Sequence, residues 1–333
     1  MKVKELRDLL KDKDIKLIND AFVEVYKALP KSKKEELDSV IESIVKGEGK
    51  KKTVKQEEVS LNDLFVEIQD FLQDAYHGFY IAPNRIVPKK ERPKWRYKVK
   101  RYLKILFEVS SDHPDFLQVV ILIREIYKVL SYGCGVYVFS SDDPFASVGI
   151  AQEELYEEYI KRQMQLPVIE ETIREMVTGA THCYLSRECL HEMLYGVLNF
   201  HIQKLEYRDM VKAYGQKFIE SQKKFIASLE RYDDRLYEAT SLLNETNDVV
   251  LIFHYGSFEK ALQYYFKNSY ERNQEVTLYK VLMLTEIFFS KKEWIEAYEY
   301  GLKLNIEPRQ SLQDKYKKYK AKKGERLCQK ENI

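Results

Sequence analysis

Between Pro83 and Phe107 the chain reads PNRIVPKKERPKWRYKVKRYLKILF. Pro83, Pro88 and Pro93 keep the first half out of any long helix or central strand, because proline lacks a backbone donor and restricts the residue before it. From Lys94 onward, Trp95, Val99, Tyr102, Leu103 and Leu106 fall at i, i+4, i+7, i+8 and i+11, one face of a helix. Such a helix must bury its apolar stripe against neighbours. Glycines (12) and prolines (8) among 333 residues are too few for the turns of an all-β or doubly wound α/β chain, so the neighbours are expected to be helices as well. Apolar residues at 44% against charged residues at 32% suit a folded chain with a sizeable core. The expected fold is all-α: an irregular, solenoid-like helical array with tetratricopeptide-like helix pairs at the C-terminal end.

Five regions follow from the pattern. Residues 1–45 read as an N-terminal helical hairpin. Its first helix carries Leu6, Leu9, Leu10, Leu17, Ile18, Phe22, Val25 and Tyr26 on one face, Leu29-Pro30 breaks it, and Ser32 with Glu35 forms a capping box for the second. Residues 46–59, KGEGKKKTVKQEEV, read as a charged linker. Residues 60–205 read as a helical core domain. It opens with a helix capped by Ser60 or Asn62, striped by Leu64, Phe65, Ile68, Phe71, Leu72 and Ala75, and ended by His77-Gly78. A very apolar helix follows Asp112 and Pro114 and is broken at Gly133-Cys134-Gly135. After it come an ordered loop (VYVFSSDDPFASVG), two acidic helices at 151–164 and 167–178, and a helix from about Ser186 to Leu205.

Residues 206–310 read as tetratricopeptide-like. FHYGSFEKALQYYFK and FFSKKEWIEAYEYGLK superpose with Ala261 on Ala297, Tyr264 on Tyr300 and Lys267 on Lys303, an offset of 36. That is close to the ~34-residue tetratricopeptide period. Residues 311–333 read as a basic tail with almost no apolar stripe, frayed or disordered.

The net charge of +2, from 55 basic and 53 acidic residues, is low for a dedicated nucleic-acid binder. Any such role falls to a local patch. Lys89, Lys90, Arg92, Lys94, Arg96, Lys98, Lys100, Arg101 and Lys104 stand against Glu91 alone, with Trp95, Tyr97 and Tyr102 among them. Cations can hold phosphates and aromatics can stack bases. The same residues also suit a contact with acidic helices, such as Glu153, Glu154, Glu157 and Glu158, or a solvated helix face.

Metal donors occur in THCYLSRECLH, where His182, Cys183, Cys189 and His191 lie close together. Closely spaced ligand pairs of the zinc type are missing, and buried thiols with a packed histidine are the simpler account. Glu188-x-x-His191 matches half of a helix-bundle di-iron site, for which Asp74-x-x-His77 is a poor second half. No cofactor is expected. Neither a Gly-x-Ser-x-Gly elbow nor a glycine-rich phosphate loop is present. Cys134, between two glycines, is the thiol that reads as most reactive; the simpler account makes it a small core filler. The opening MKVKELRDLLKDKD has no apolar leader stretch, and the apolar run Phe116–Ile123 stops at Arg124 and Glu125. A cytoplasmic protein with free thiols and no membrane span is expected.

The order of features resembles a family of bacterial all-helical proteins classed only as a domain of unknown function. The resemblance covers roughly residues 1–205 and rests on Gly133-Cys134, Asp143-Pro144-Phe145 and His191-Glu192. The chain departs from it at Arg187-Glu188-Cys189-Leu190, where an aromatic-glycine pair would precede the histidine. It implies a helical domain and carries no activity. The function expected is therefore a non-enzymatic helical-repeat protein that binds or scaffolds a protein partner. The alternatives are a nucleic-acid or polyanion binder using residues 89–104 and the Lys-rich tail, and a helical metalloprotein using His182, Cys183, Cys189 and His191.

Overall fold

A computed structural model of the chain describes residues 13–30 and 60–328, together with 6, 9–11, 33–34, 37–38, 41–42 and 45; side chains are described as far as 321. The described residues form fourteen α-helices and one 3-10 turn, and no strand. The chain divides into two compact units, residues 1–63 and 64–333.

In the first unit, α1 spans Ile15–Ala28. It starts at Ile15, later than the apolar pattern suggested, because the Asp14 side chain accepts from the Lys16 amide and caps a fresh N-terminus there. It ends at Leu29-Pro30 as expected. The Tyr26 hydroxyl donates to Asp38. Of the expected second helix, residues 33–34, 37–38, 41–42 and 45 are described and are helical; its other residues, and all of the linker 46–59, lie outside the described residues.

The second unit is built from stripes. Helix α2 (Leu61–Tyr76) buries Leu64, Phe65, Ile68, Phe71, Leu72 and Ala75, the whole expected stripe. Gly78, at φ 70°, takes the left-handed conformation that turns the chain away. A 3-10 turn (Arg92–Lys94) leads into α3 (Trp95–Glu108), which buries Trp95, Val99, Tyr102, Leu103 and Leu106. The Trp95 ring stacks on Phe139 at 4.2 Å, and Phe71 meets Tyr102 edge-on at 5.7 Å. Each such side chain contributes about 2–3 kcal/mol relative to leaving it in water.

Helix α4 (Phe116–Gly135) is the central buried element and ends at Gly135, within the Gly133-Cys134-Gly135 stretch expected to break it. Those glycines serve packing. A Cβ on Gly133 would lie 2.9 Å from Pro144 Cγ, and one on Gly135 would overlap the Tyr184 ring. The expected loop after α4 contains a short helix, α5 (Pro144–Val148). Asp143 caps it, Pro144 fits its first turn, and Gly149 closes it at φ 75°. Helices α6 (Gln152–Gln163) and α7 (Glu170–Thr181) are the two acidic helices. Arg162 of α6 donates to the carbonyls of Val109 and Phe107 (3.0 and 2.6 Å) and so caps the C-terminus of α3. The next helix, α8, spans His191–His201. It starts five residues later than expected, because residues 182–190 are held as an extended segment and turn.

The C-terminal part comprises α9 (Leu205–Ser228), α10 (Arg235–Ile252), α11 (Phe258–Asn268), α12 (Gln274–Phe288), α13 (Lys291–Lys303) and α14 (Gln310–Cys328). The most extensive pairings are α9 with α10 and α12 with α13, and α11 also packs on α13. Ala261 and Ala297 are buried, but the closest helix approaches use glycine. A Cβ on Gly215 would lie 2.5 Å from Val250 Cγ2, and one on Gly301 2.6 Å from Leu278 Cδ2. The expected frayed tail is a helix packed on α13: Tyr316 stacks on Tyr298 at 4.2 Å, Tyr319 meets Trp294 at 5.0 Å, and Leu312 is buried. Helix α10 touches α7, α8, α9, α11 and α12, so the helices of 60–205 and of 206–310 share one packed body. No helix among the described residues is long and apolar enough to cross a membrane.

Candidate functional site

The proline-rich segment before α3 is a compact knot. Asn84 donates to the carbonyls of Phe79 and Ala82, and accepts from the amides of Ile86 and Val87 (2.6–2.9 Å). Arg92 closes it by donating to Val87 O at 3.0 Å and Asn84 O at 3.4 Å. Arg92 is thus structural. Lys94 pairs with Glu91 at 2.7 Å, and Arg101 pairs with Glu67, which also accepts from Tyr102. Lys98 faces Asp74, whose carboxyl is raised by burial and partly restored by that ammonium. The acidic neighbours of the basic segment are therefore on α2. The acids of α6 are used elsewhere: Glu158 by Arg162, Glu157 by His201, and Glu154 by the Ala151 amide. Lys89, Lys90, Arg96, Lys100 and Lys104 have no ion-pair partner among the described residues. Arg96, Lys100 and Lys104 fall in one row at i, i+4 and i+8, beside the exposed Tyr97.

A groove of about 840 Å³ lies open between α7 and α9. Met210, Ala213, Tyr214 and Phe218 of α9 form its floor, and Glu170, Glu171 and Arg174 of α7 line one wall, with Asp209 and Lys217 at the other. Arg174 is tied to Glu171 and Glu175, and Asp209 accepts from Tyr255. Glu170 and Lys217 are left exposed and unpaired among the described residues.

The cysteine–histidine segment follows α7 directly. Buried Gln152 clamps it: the side-chain amide donates to Tyr184 O (3.1 Å) and Tyr127 Oη (3.3 Å), and accepts from the Ser186 amide (2.7 Å). Ser131 adds a bond to Tyr184 O at 2.8 Å. The four candidate ligands have different surroundings. His182 stacks near Phe218 and is pushed down to about 4 by burial, so it is neutral. Cys189 is buried ahead of α8, not on it, and burial pushes its thiol up to about 12. His191 Nδ1 donates to Ala180 O at 2.9 Å, and Nε2 lies 3.4 Å from Glu245 Oε1. Burial opposes charge on this ring, but hydrogen bonding to Cys183 and Glu245 outweighs it and raises the pKa to about 10. No group of three or more His, Cys, Asp or Glu side chains among the described residues is arranged to hold a metal ion. Cys134, the thiol that reads as reactive, donates to Leu130 O and is also pushed up to about 12 by burial.

Next to His191, Glu192 opens a buried charge network. Lys280 of α12 reaches Glu192 at 2.5 Å and Asp248 of α10 at 3.4 Å, and Asp248 accepts from Tyr265 at 2.6 Å. Asp248 is 2% exposed, and burial raises its carboxyl to about 6 despite Lys280. Gln152, Glu245, Asp248 and Lys280 carry no sequence signal of their own, since their partners are far away in the chain. No family model, curated protein or solved structure matches the chain.

Proposed function

We propose that this chain is a non-enzymatic helical-array protein that binds a partner protein, working in the cytoplasm. The observation that carries this reading is the groove between α7 and α9, whose apolar floor repeats at Met210, Ala213, Tyr214 and Phe218. A floor at i, i+3, i+4 and i+8 along α9 is a continuous stripe on which the i, i+3, i+4, i+7 face of an amphipathic helix can pack. The unpaired rim charges give the ligand a polarity: a basic residue toward Glu170 and an acidic one toward Lys217. Panning a random peptide library against the full chain tests the reading. Enriched peptides should show the amphipathic spacing with that charge order, and should bind at least about tenfold more weakly to Met210→Asp. Equal enrichment on the Met210→Asp chain would overturn the assignment of the groove.

A second reading, polyanion binding, is favoured by the unpaired row Arg96, Lys100 and Lys104 with Lys89 and Lys90 in the preceding turn. Such binding would weaken steeply with salt. Fluorescent RNA and DNA that show no shift at low salt would remove it.

A further inference from the structure

The solvent face of α3 carries an aromatic ring that charge attraction alone does not use. Tyr97 is 61% exposed, and the Arg96 guanidinium lies over its ring, 5.2 Å from the centroid. Resting on the polyanion reading, we infer that the ligand of this face is a single-stranded nucleic acid. Its phosphates lie along Arg96, Lys100 and Lys104, and an unpaired base stacks on Tyr97.

The spacing of the cations comes first. Arg96, Lys100 and Lys104 stand four residues apart, about 6 Å per step along the helix axis. Successive phosphates of an extended strand can follow such a row. Lys100 and Lys104 also lie three and seven residues beyond Tyr97, so the ring and the ammonium groups share one face. The ring then sets the class of ligand. Stacking on a side chain needs a base whose face is open; in a duplex those faces are covered by neighbouring pairs. A chain of bare phosphates would engage the cations and leave Tyr97 idle. The Arg96 guanidinium steadies the ring by a cation–π contact.

The platform beneath is fixed. The opposite face of α3 buries Trp95, Val99, Tyr102, Leu103 and Leu106. Lys100 reaches the end of α5, where a Cβ on Gly149 would lie 3.5 Å from its Nζ. Lys89 and Lys90, exposed in the turn ahead of α3, extend the positive strip at one end, and the exposed Glu108 bounds it at the other.

Fluorescence anisotropy on the full chain tests this. The probes are a labelled oligothymidylate of about 15 nucleotides and a blunt duplex of the same length, with polyglutamate as competitor. The single strand should bind at least about tenfold more tightly than the duplex. Its log K should fall with log salt at a slope of about −2 to −3.5, as expected for roughly three to five neutralised phosphates. Tyr97→Leu should weaken it about tenfold with the slope unchanged, and Tyr97→Phe should retain it. The triple change Arg96→Glu, Lys100→Glu and Lys104→Glu should abolish it. Three results would each overturn the inference and leave polyanion binding standing: equal affinity for strand and duplex, displacement by polyglutamate as readily as by unlabelled strand, or wild-type affinity in Tyr97→Leu. No binding of any probe at low salt would remove the polyanion reading, and the inference with it.

Discussion

The basic face of α3 and the buried charges between α8, α10 and α12 are made of the same residue types in different surroundings. On α3 the cations stand in or near water. Screening and side-chain entropy leave each exposed pair worth less than about 1 kcal/mol, and the pairs Arg101–Glu67 and Lys94–Glu91 can form or break without consequence for the fold. Between α8, α10 and α12 Asp248 is buried and its charged neighbours are only partly exposed, so the ions lean on one another more than on solvent. There Lys280 serves two carboxylates, and His191 is held by Glu245. A conspicuous run of charge in a sequence therefore marks surface; the charges that organise the structure sit singly among apolar residues.

Changing pH should separate the two regions most strongly. The folded-state pKa of His191 is raised to about 10, above the ~6.5 of an unfolded histidine. Its contribution is fully present below pH 6.5 and is lost as pH rises toward 10. Urea midpoints measured across that window should fall in the wild type and follow a flatter course in His191→Gln. A parallel course in both chains would mean that His191 is not charged in the folded state. Next in size is Lys280→Met, which strands Glu192 and Asp248. A loss of about 3 kcal/mol is expected from denaturant unfolding at pH 7. A neutral result would show that water reaches the network.

Smaller effects belong to α3. Arg101→Glu replaces an attraction to Glu67 with a repulsion and should cost roughly 0.5–1 kcal/mol. The triple change Arg96→Glu, Lys100→Glu and Lys104→Glu breaks no described ion pair and only the exposed contact of Arg96 with the Tyr97 ring, and should leave stability within about 0.5 kcal/mol. If the triple variant melts early, its row is packed against something, and the contrast between the two regions fails.

Much of the fold was legible residue by residue. The stripes of α2 and α3 emerged buried as read, because an apolar face at helical spacing has one way to leave water. Gly133 and Gly135 mark the end of α4 as read, and they are small also because Pro144, Phe139 and Tyr184 come close. The misreadings have specific causes. Asp143, Pro144 and Gly149 are good helix-end signals, but they enclose so few residues that they pass for a loop. The Lys-rich C-terminal stretch hides Leu312, Tyr316 and Tyr319 on one face, and tyrosines between lysines read as solvated until Trp294 and Tyr298 cover them.

The candidate sites were less legible. The basic row was visible, but which of its members are free depended on Glu67, Asp74 and the backbone around Val87. His182, Cys183, Cys189 and His191 were visible as donors, and their closeness in sequence suggested a shared ligand. The fold instead gives the two histidines opposite surroundings, His182 against Phe218 and His191 against Glu245.

Helical character, the apolar faces and the presence of charged segments are local properties, set by side-chain spacing along a 3.6-residue turn, and the amino-acid sequence holds them completely. Which charges are paired and which helix face stays open are decided by neighbours far off in the chain. Lys280 and Glu192 meet across 88 positions, and Gln152 reaches Tyr184 across 32. Electrostatic energy depends on distance and on exclusion of water, and only the packed helices supply both.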